Sequence, residues 1–104
     1  MDYLNWFPKR VAELRMQKGV SARDMSLSLG QSESYINKIE NKRTLPSMAG
    51  FIYICEYFGV TPQEFFDIAS PCPQKSKELL REIEKLTAPQ TDHIMQIVKD
   101  LAEK

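Results

Sequence analysis

Three glycines, at positions 19, 30 and 59, cut the first sixty residues into short apolar-periodic segments. Glycine enters the left-handed conformation without a Cβ penalty, so it ends helices. Helices under about 12–15 residues are marginal alone in water. A chain punctuated this way must pack several short helices on one another. Asn5 is placed to cap a helix that runs to Lys18, with Pro8 in its first turn. Phe7, Val11 and Leu14 form its apolar stripe. Ser21 caps a short second helix with Met25 and Leu29 facing inward, and Gly30 ends it. Ser32 caps a third, with Ile36 and Ile39 inward. After the break at Leu45-Pro46, Ser47 caps a fourth that runs to about Phe58. Thr61-Pro62-Gln63-Glu64 is a capping box with proline at the first helical position, opening a fifth that ends near Asp67. By propensity, Phe51-Ile52-Tyr53-Ile54 also suits a strand; the caps on either side favour helix.

Ala69-Ser70-Pro71-Cys72-Pro73-Gln74 breaks this pattern, because proline removes backbone donors and favours extended geometry. Residues 1–68 are therefore expected to form the main domain, 69–74 a proline-containing linker and 75–104 a C-terminal helical extension, the candidate dimerisation element. The extension reads as helices over 75–86 and 88–103. Leu79, Leu80, Ile83 and Leu86 stripe the first; Ile94, Ile97, Val98 and Leu101 stripe the second, after a capping box at Thr87 and Gln90. Each stripe needs a partner surface: the other helix, the main domain, or a second copy of the chain.

Composition narrows the function. Lys+Arg and Asp+Glu are both 14. Residues 1–68 carry eight of each sign and 69–104 six of each. Any contact with nucleic acid must therefore use a local basic patch. The apolar run Met48–Cys55 is too short to span a membrane, and the N-terminus lacks a secretory pattern, so a cytoplasmic location is expected. Cys55 sits in an apolar stretch and Cys72 between prolines, a spacing that matches no metal site. His93, the lone histidine, reads as a solvated surface residue. With no paired carboxylates in an evident cleft, no nucleophile–histidine set and no glycine-rich phosphate loop, no enzyme activity and no cofactor are expected.

The segment Ser21–Asn41 is a short helix, a glycine turn and a second short helix, the pattern of a helix-turn-helix. The surrounding text resembles the Cro/XRE-type, lambda-repressor-like DNA-binding family. The resemblance rests on Arg10-Val-Ala-Glu-Leu-Arg15, Lys18-Gly-Val-Ser21, Leu29-Gly30, Ser34-Tyr-Ile-Asn-Lys-Ile-Glu-Asn41, Pro46-Ser47 and Phe58-Gly-Val-Thr-Pro-Gln-Glu-Phe65-Phe66. It implies an all-α fold, a five-helix domain whose third helix is the recognition helix, to which the two-helix extension read above is appended. It also implies a buried structural ion pair of Arg15 with Glu40.

In the third helix, over 33–41, Ile36, Ile39 and Glu40 share one side; Glu33, Ser34, Asn37, Lys38 and Asn41 share the other. The second face should enter the major groove. Glu33 can accept from cytosine, Asn37 can read adenine and Lys38 can donate to guanine. The family pattern points to Glu33, Ser34 and Lys38 as base readers. Ala22, Arg23, Tyr35, Asn41, Lys42, Arg43 and Thr44 are the candidate phosphate contacts. Tyr35 has packing as its alternative role, and Lys42 and Arg43 a purely solvated one. Two residues depart from the family pattern: Ala22 replaces a glutamine that touches DNA, and Ser26 replaces a small apolar residue.

The expectation is a sequence-specific double-stranded DNA binder, a transcriptional regulator of the repressor type, acting as a homodimer without a small-molecule effector. The alternative is a protein-interaction module, antitoxin-like or accessory, that keeps the fold with weak or no DNA binding. Zero net charge supports that alternative.

Overall fold

The computed structural model describes residues 2–67 and 72–103. The described residues are helical, with no strand among them. The elements are α1 (Tyr3–Lys18), α2 (Ala22–Ser28), α3 (Tyr35–Glu40), α4 (Met48–Phe58), α5 (Pro62–Phe65), α6 (Pro73–Glu84) and α7 (Ala88–Ala102). The chain divides into two compact units, Met1–Pro73 and Gln74–Lys104. Phe51–Ile54 is helical, inside α4.

α1 starts earlier than Asn5. Asp2 is its cap, and the Asp2 carboxylate accepts from the Asn5 backbone N–H at 3.4 Å and from the Asn5 side chain. Pro8 consequently lies inside the helix rather than in its first turn. An interior proline costs about 3 kcal/mol through its missing N–H and its clash with the preceding turn. Aromatic packing offsets that cost. The added turn carries Tyr3 and Trp6, which join Phe7 against the end of the unit. Trp6 stacks on Phe66 with ring centroids 5.5 Å apart, and Phe7 meets Phe65 at 5.1 Å.

The core of the first unit is Phe7, Val11, Leu14, Met25, Ile36, Ile39, Ile54, Cys55, Phe58, Val60 and Phe65. Leu29 and Phe51 are partly buried against it. Ile52 is exposed. At 100° per residue, Phe51, Ile54, Cys55 and Phe58 share one face of α4, and Ile52 lies well off it. Burial, and secondarily the neighbouring Glu56, pushes the Cys55 thiol up to about 11, so it packs as a neutral group.

Arg10 is the charged member of this interior, at 3% exposure. Its Nε donates to the Phe65 carbonyl at 2.7 Å, and its Nη2 to those of Glu64 at 3.0 Å and Asp67 at 3.5 Å. Glu13, one turn on, balances the charge. Arg10 thus satisfies the free carbonyls at the end of α5, which ends at Phe65, two residues before the expected Asp67.

The second unit differs. α6 begins at Pro73, inside the segment expected as linker, since proline fits the first helical position. Residues 69–71 of that segment lie outside the described residues. α7 opens on the capping box of Thr87 and Gln90, yet none of its residues is buried.

Candidate nucleic-acid interface

α2 and α3 are joined by a turn that the sequence writes in detail. Ser21 Oγ accepts from the Asp24 N–H at 3.0 Å, and Asp24 places a negative charge at the positive end of α2. Gly30 takes φ +72, and the N–H of Gln31 returns to the Ser26 carbonyl at 3.0 Å. A Cβ on Gly30 would meet nothing within 4 Å, so the glycine answers the backbone angle and not a lack of space.

Ser34, not Ser32, occupies the cap position of α3, and its side chain makes no capping bond. The capping oxygen comes from α2. Ser26 Oγ donates to the Ala22 carbonyl at 2.7 Å and accepts from the Ile36 N–H at 3.0 Å. Ser26 is fully buried, and its hydroxyl fastens the start of α3 to the middle of α2. The first bond, one turn back within the helix, is open to any helical serine. The second depends on how α3 folds over α2, and nothing in the local sequence marks it.

The regular part of α3 is Tyr35–Glu40, shorter than the 33–41 expected. Glu33 and Ser34 lie in the turn before it, and Asn41 is its C-cap. Ile36 and Ile39 are buried, whereas Asn37 and Lys38 are exposed, as is Glu33; Ser34 is half-buried. Asn41 Nδ2 donates to both the backbone oxygen of Asn37, at 2.8 Å, and its side-chain oxygen, at 3.1 Å. Arg23 Nε and Glu33 Oε2 form an exposed ion pair at 3.1 Å. Two residues ten apart in sequence, one expected on a phosphate and the other on a base, therefore hold each other. Ala22, the first residue of α2, is half-buried.

Tyr35 packs between α3 and α4. A Cβ on Gly50 would lie 2.8 Å from the Tyr35 hydroxyl and 3.2 Å from Ser47 Oγ, so glycine is what lets α4 approach. Burial raises the Tyr35 pKa. On the far side of α3, the Arg15 guanidinium reaches Glu40 through Nε at 2.7 Å and Nη2 at 2.9 Å, while Nη1 donates to the Val20 carbonyl at 3.0 Å. The bond to Glu40 raises the Arg15 pKa against the opposing effect of burial. The pair is 18% and 14% exposed, so it is partly rather than wholly buried.

α3 ends in a two-bond reversal. The Lys42 N–H bonds the Ile39 carbonyl at 3.1 Å, and the Arg43 N–H bonds that of Lys38 at 2.9 Å. The left-handed position, which glycine fills after α2 and α4, is here Lys42, at φ 62. Lys42 Nζ donates to Asn5 Oδ1 at 2.9 Å, tying this loop to α1. Arg43 and Thr44 come next, both exposed, and the Thr44 hydroxyl donates to the Leu45 carbonyl at 3.3 Å. Exposed Lys38 on α3 is thus flanked by the exposed cations Arg23, Lys42 and Arg43, with the Glu33 carboxylate committed to Arg23.

A family model described as a helix-turn-helix domain matches residues 9–70. No curated protein and no solved structure matches the chain. The matched span exceeds half the chain and contains α2, the turn and α3. The chain belongs to this helix-turn-helix family.

Proposed function

We propose that this helix-turn-helix chain is a transcriptional regulator, a repressor, that reads double-stranded DNA with α3 in the major groove. One observation carries the reading: α3 is anchored by Ile36 and Ile39 and presents Asn37 and Lys38 to solvent between flanking cations. In this reading Lys38, Ser34, Asn37 and Glu33 face base edges. Arg23, Lys42 and Arg43 contact phosphates, with Asn41, Thr44, Tyr35 and the start of α2 at Ala22 beside them. The Arg23–Glu33 pair opens at small cost, because exposed ion pairs are worth about 0.2–1 kcal/mol. DNA as partner places the action in the cytoplasm, and no described helix is long and apolar enough to cross a membrane. One short helix with a handful of phosphate contacts binds weakly at physiological salt, so the regulator acts as a homodimer on a two-fold site.

The test is selection from a randomised duplex library, with the recovered pool sequenced. An inverted repeat should emerge, and Lys38→Ala should relax preference at one position in each half-site. Affinity should fall steeply with salt, and Lys42→Ala and Arg43→Ala should each flatten that slope. No enrichment even at low salt would sink the reading. It would favour the same fold acting as a protein-interaction module, a role that the zero net charge and the internal neutralisation of Arg23 by Glu33 support.

A further inference from the structure

The second unit leaves its apolar residues uncovered. Leu79, Leu80 and Leu86 of the first stripe and Ile94, Ile97, Val98 and Leu101 of the second are seven large hydrophobics between 36% and 66% exposed. Together they amount to several hundred Å² of apolar surface, the order of the about 800 Å² that a stable interface covers on each side. Monomers seldom leave such a patch open.

The charges beside the α6 stripe specify what covers it. At 100° per residue, Leu79, Leu80 and Ile83 fall within an arc of about 100° on α6, and Leu86 follows just past its end. Lys75 and Glu82 border one edge of that arc, and Lys77 and Glu84 border the other. Glu78 and Arg81 lie behind. Each edge is therefore basic at its N-terminal end and acidic seven residues later. When two antiparallel helices meet across a two-fold axis, each edge faces the same edge of its partner run in reverse. The two edges have their midpoints within a residue of Leu79–Leu80, about 1.5 Å along the helix, so one register satisfies both edges and centres the leucines. A parallel pair would instead set each edge against the opposite edge, lysine near lysine and glutamate near glutamate.

We infer that α6 is the dimer element, pairing antiparallel with a second copy of this chain. Lys75 meets Glu82 of the partner subunit and Lys77 meets Glu84 of the partner subunit, each contact made twice. Twelve residues of helix span only about 18 Å, so the α7 face joins the same interface to complete its area. This pairing deepens the homodimer of the proposed regulator and rests on that reading for its purpose, though not for its geometry.

Sedimentation equilibrium on the full chain, without DNA and at low ionic strength, tests it. The mass should double with concentration. The paired change Lys75→Glu/Lys77→Glu should raise the dimer Kd at least tenfold, and so should Glu82→Lys/Glu84→Lys, with helix content unchanged by circular dichroism. An equimolar mixture of those two variants should regain a dimer. Lys75→Glu alone distinguishes orientation: it loosens an antiparallel pair and tightens a parallel one. A wild-type chain that stays monomeric, charge variants that dimerise normally, or tightening by Lys75→Glu would each overturn the inference. A dimer of the expected charge dependence that enriches no DNA sequence would instead remove the DNA-binding reading and leave this one standing.

Discussion

Thr61 and Thr87 open their helices in the same way, each with a capping box and a proline in the first turn. Beyond that first turn the two helices have nothing in common. α5 has four residues, and its Phe65 is fully buried among rings of α1 and α4. α7 has fifteen, and none is buried. The caps state where a helix begins; they say nothing about what it rests on. In the first unit, bonds distant in sequence hold the helices together: Arg10 on α5, Ser26 on α3, Glu40 on Arg15. In the second, Glu82 bonds Lys85 and Gln96 bonds Asp100, each within about one turn of chain.

The sharpest way to break this contrast is to truncate one apolar side chain in each unit. Phe65→Ala should destabilise the first unit by about 3–5 kcal/mol, the usual loss for a buried phenyl ring. Leu101→Ala, assayed where the chain is monomeric, should stay within about 0.5 kcal/mol of wild type. Urea midpoints give both values, and similar losses would show that α7 has an intramolecular support. The ion pairs offer the next comparison. Glu40→Ala strands a partly buried guanidinium and should cost about 2–3 kcal/mol, below the range for fully buried pairs because water still reaches it. Glu82→Ala removes an exposed partner 3.0 Å from Lys85 and should leave the monomer midpoint unmoved.

Ser26→Ala comes third. It leaves the buried Ile36 N–H without an acceptor, at a cost of about 1–2 kcal/mol. Hydrogen exchange at Ile36 should rise more than exchange elsewhere in α3. The smallest expected effect has the opposite sign. Lys42→Gly relieves a left-handed L-residue and should stabilise the first unit by about 0.5–1 kcal/mol in thermal melts. The same change should weaken any DNA complex, because it removes a flanking cation.

Much of the fold was legible because helix ends are local events. The caps at Ser21, Ser47, Thr61 and Thr87 and the stops at Gly19, Gly30 and Gly59 needed only neighbours to be read. The start of α1 was misread because Asn5 is as good a capping residue as Asp2, and only the aromatic packing of Tyr3 and Trp6 decides between them. In the candidate interface, periodicity separated Ile36 and Ile39 from Asn37 and Lys38. It could not show that Arg23 and Glu33 pair, that Asn41 occupies the Asn37 amide, or that a serine from α2 caps α3. Those contacts exist only once the turn at Gly30 has brought two helices together.

Arg10 has a further consequence, for tolerance to mutation. Three of its acceptors are main-chain carbonyls, which every amino acid supplies. These bonds ask residues 64, 65 and 67 only for a main chain, while the Glu64 side chain answers to the capping box at Thr61. Arg10 itself has no such freedom: lysine offers a compact point charge in place of a planar fork and cannot serve several carbonyls in the same geometry. The polar constraint that joins the two ends of the helix-turn-helix domain is concentrated in a single codon.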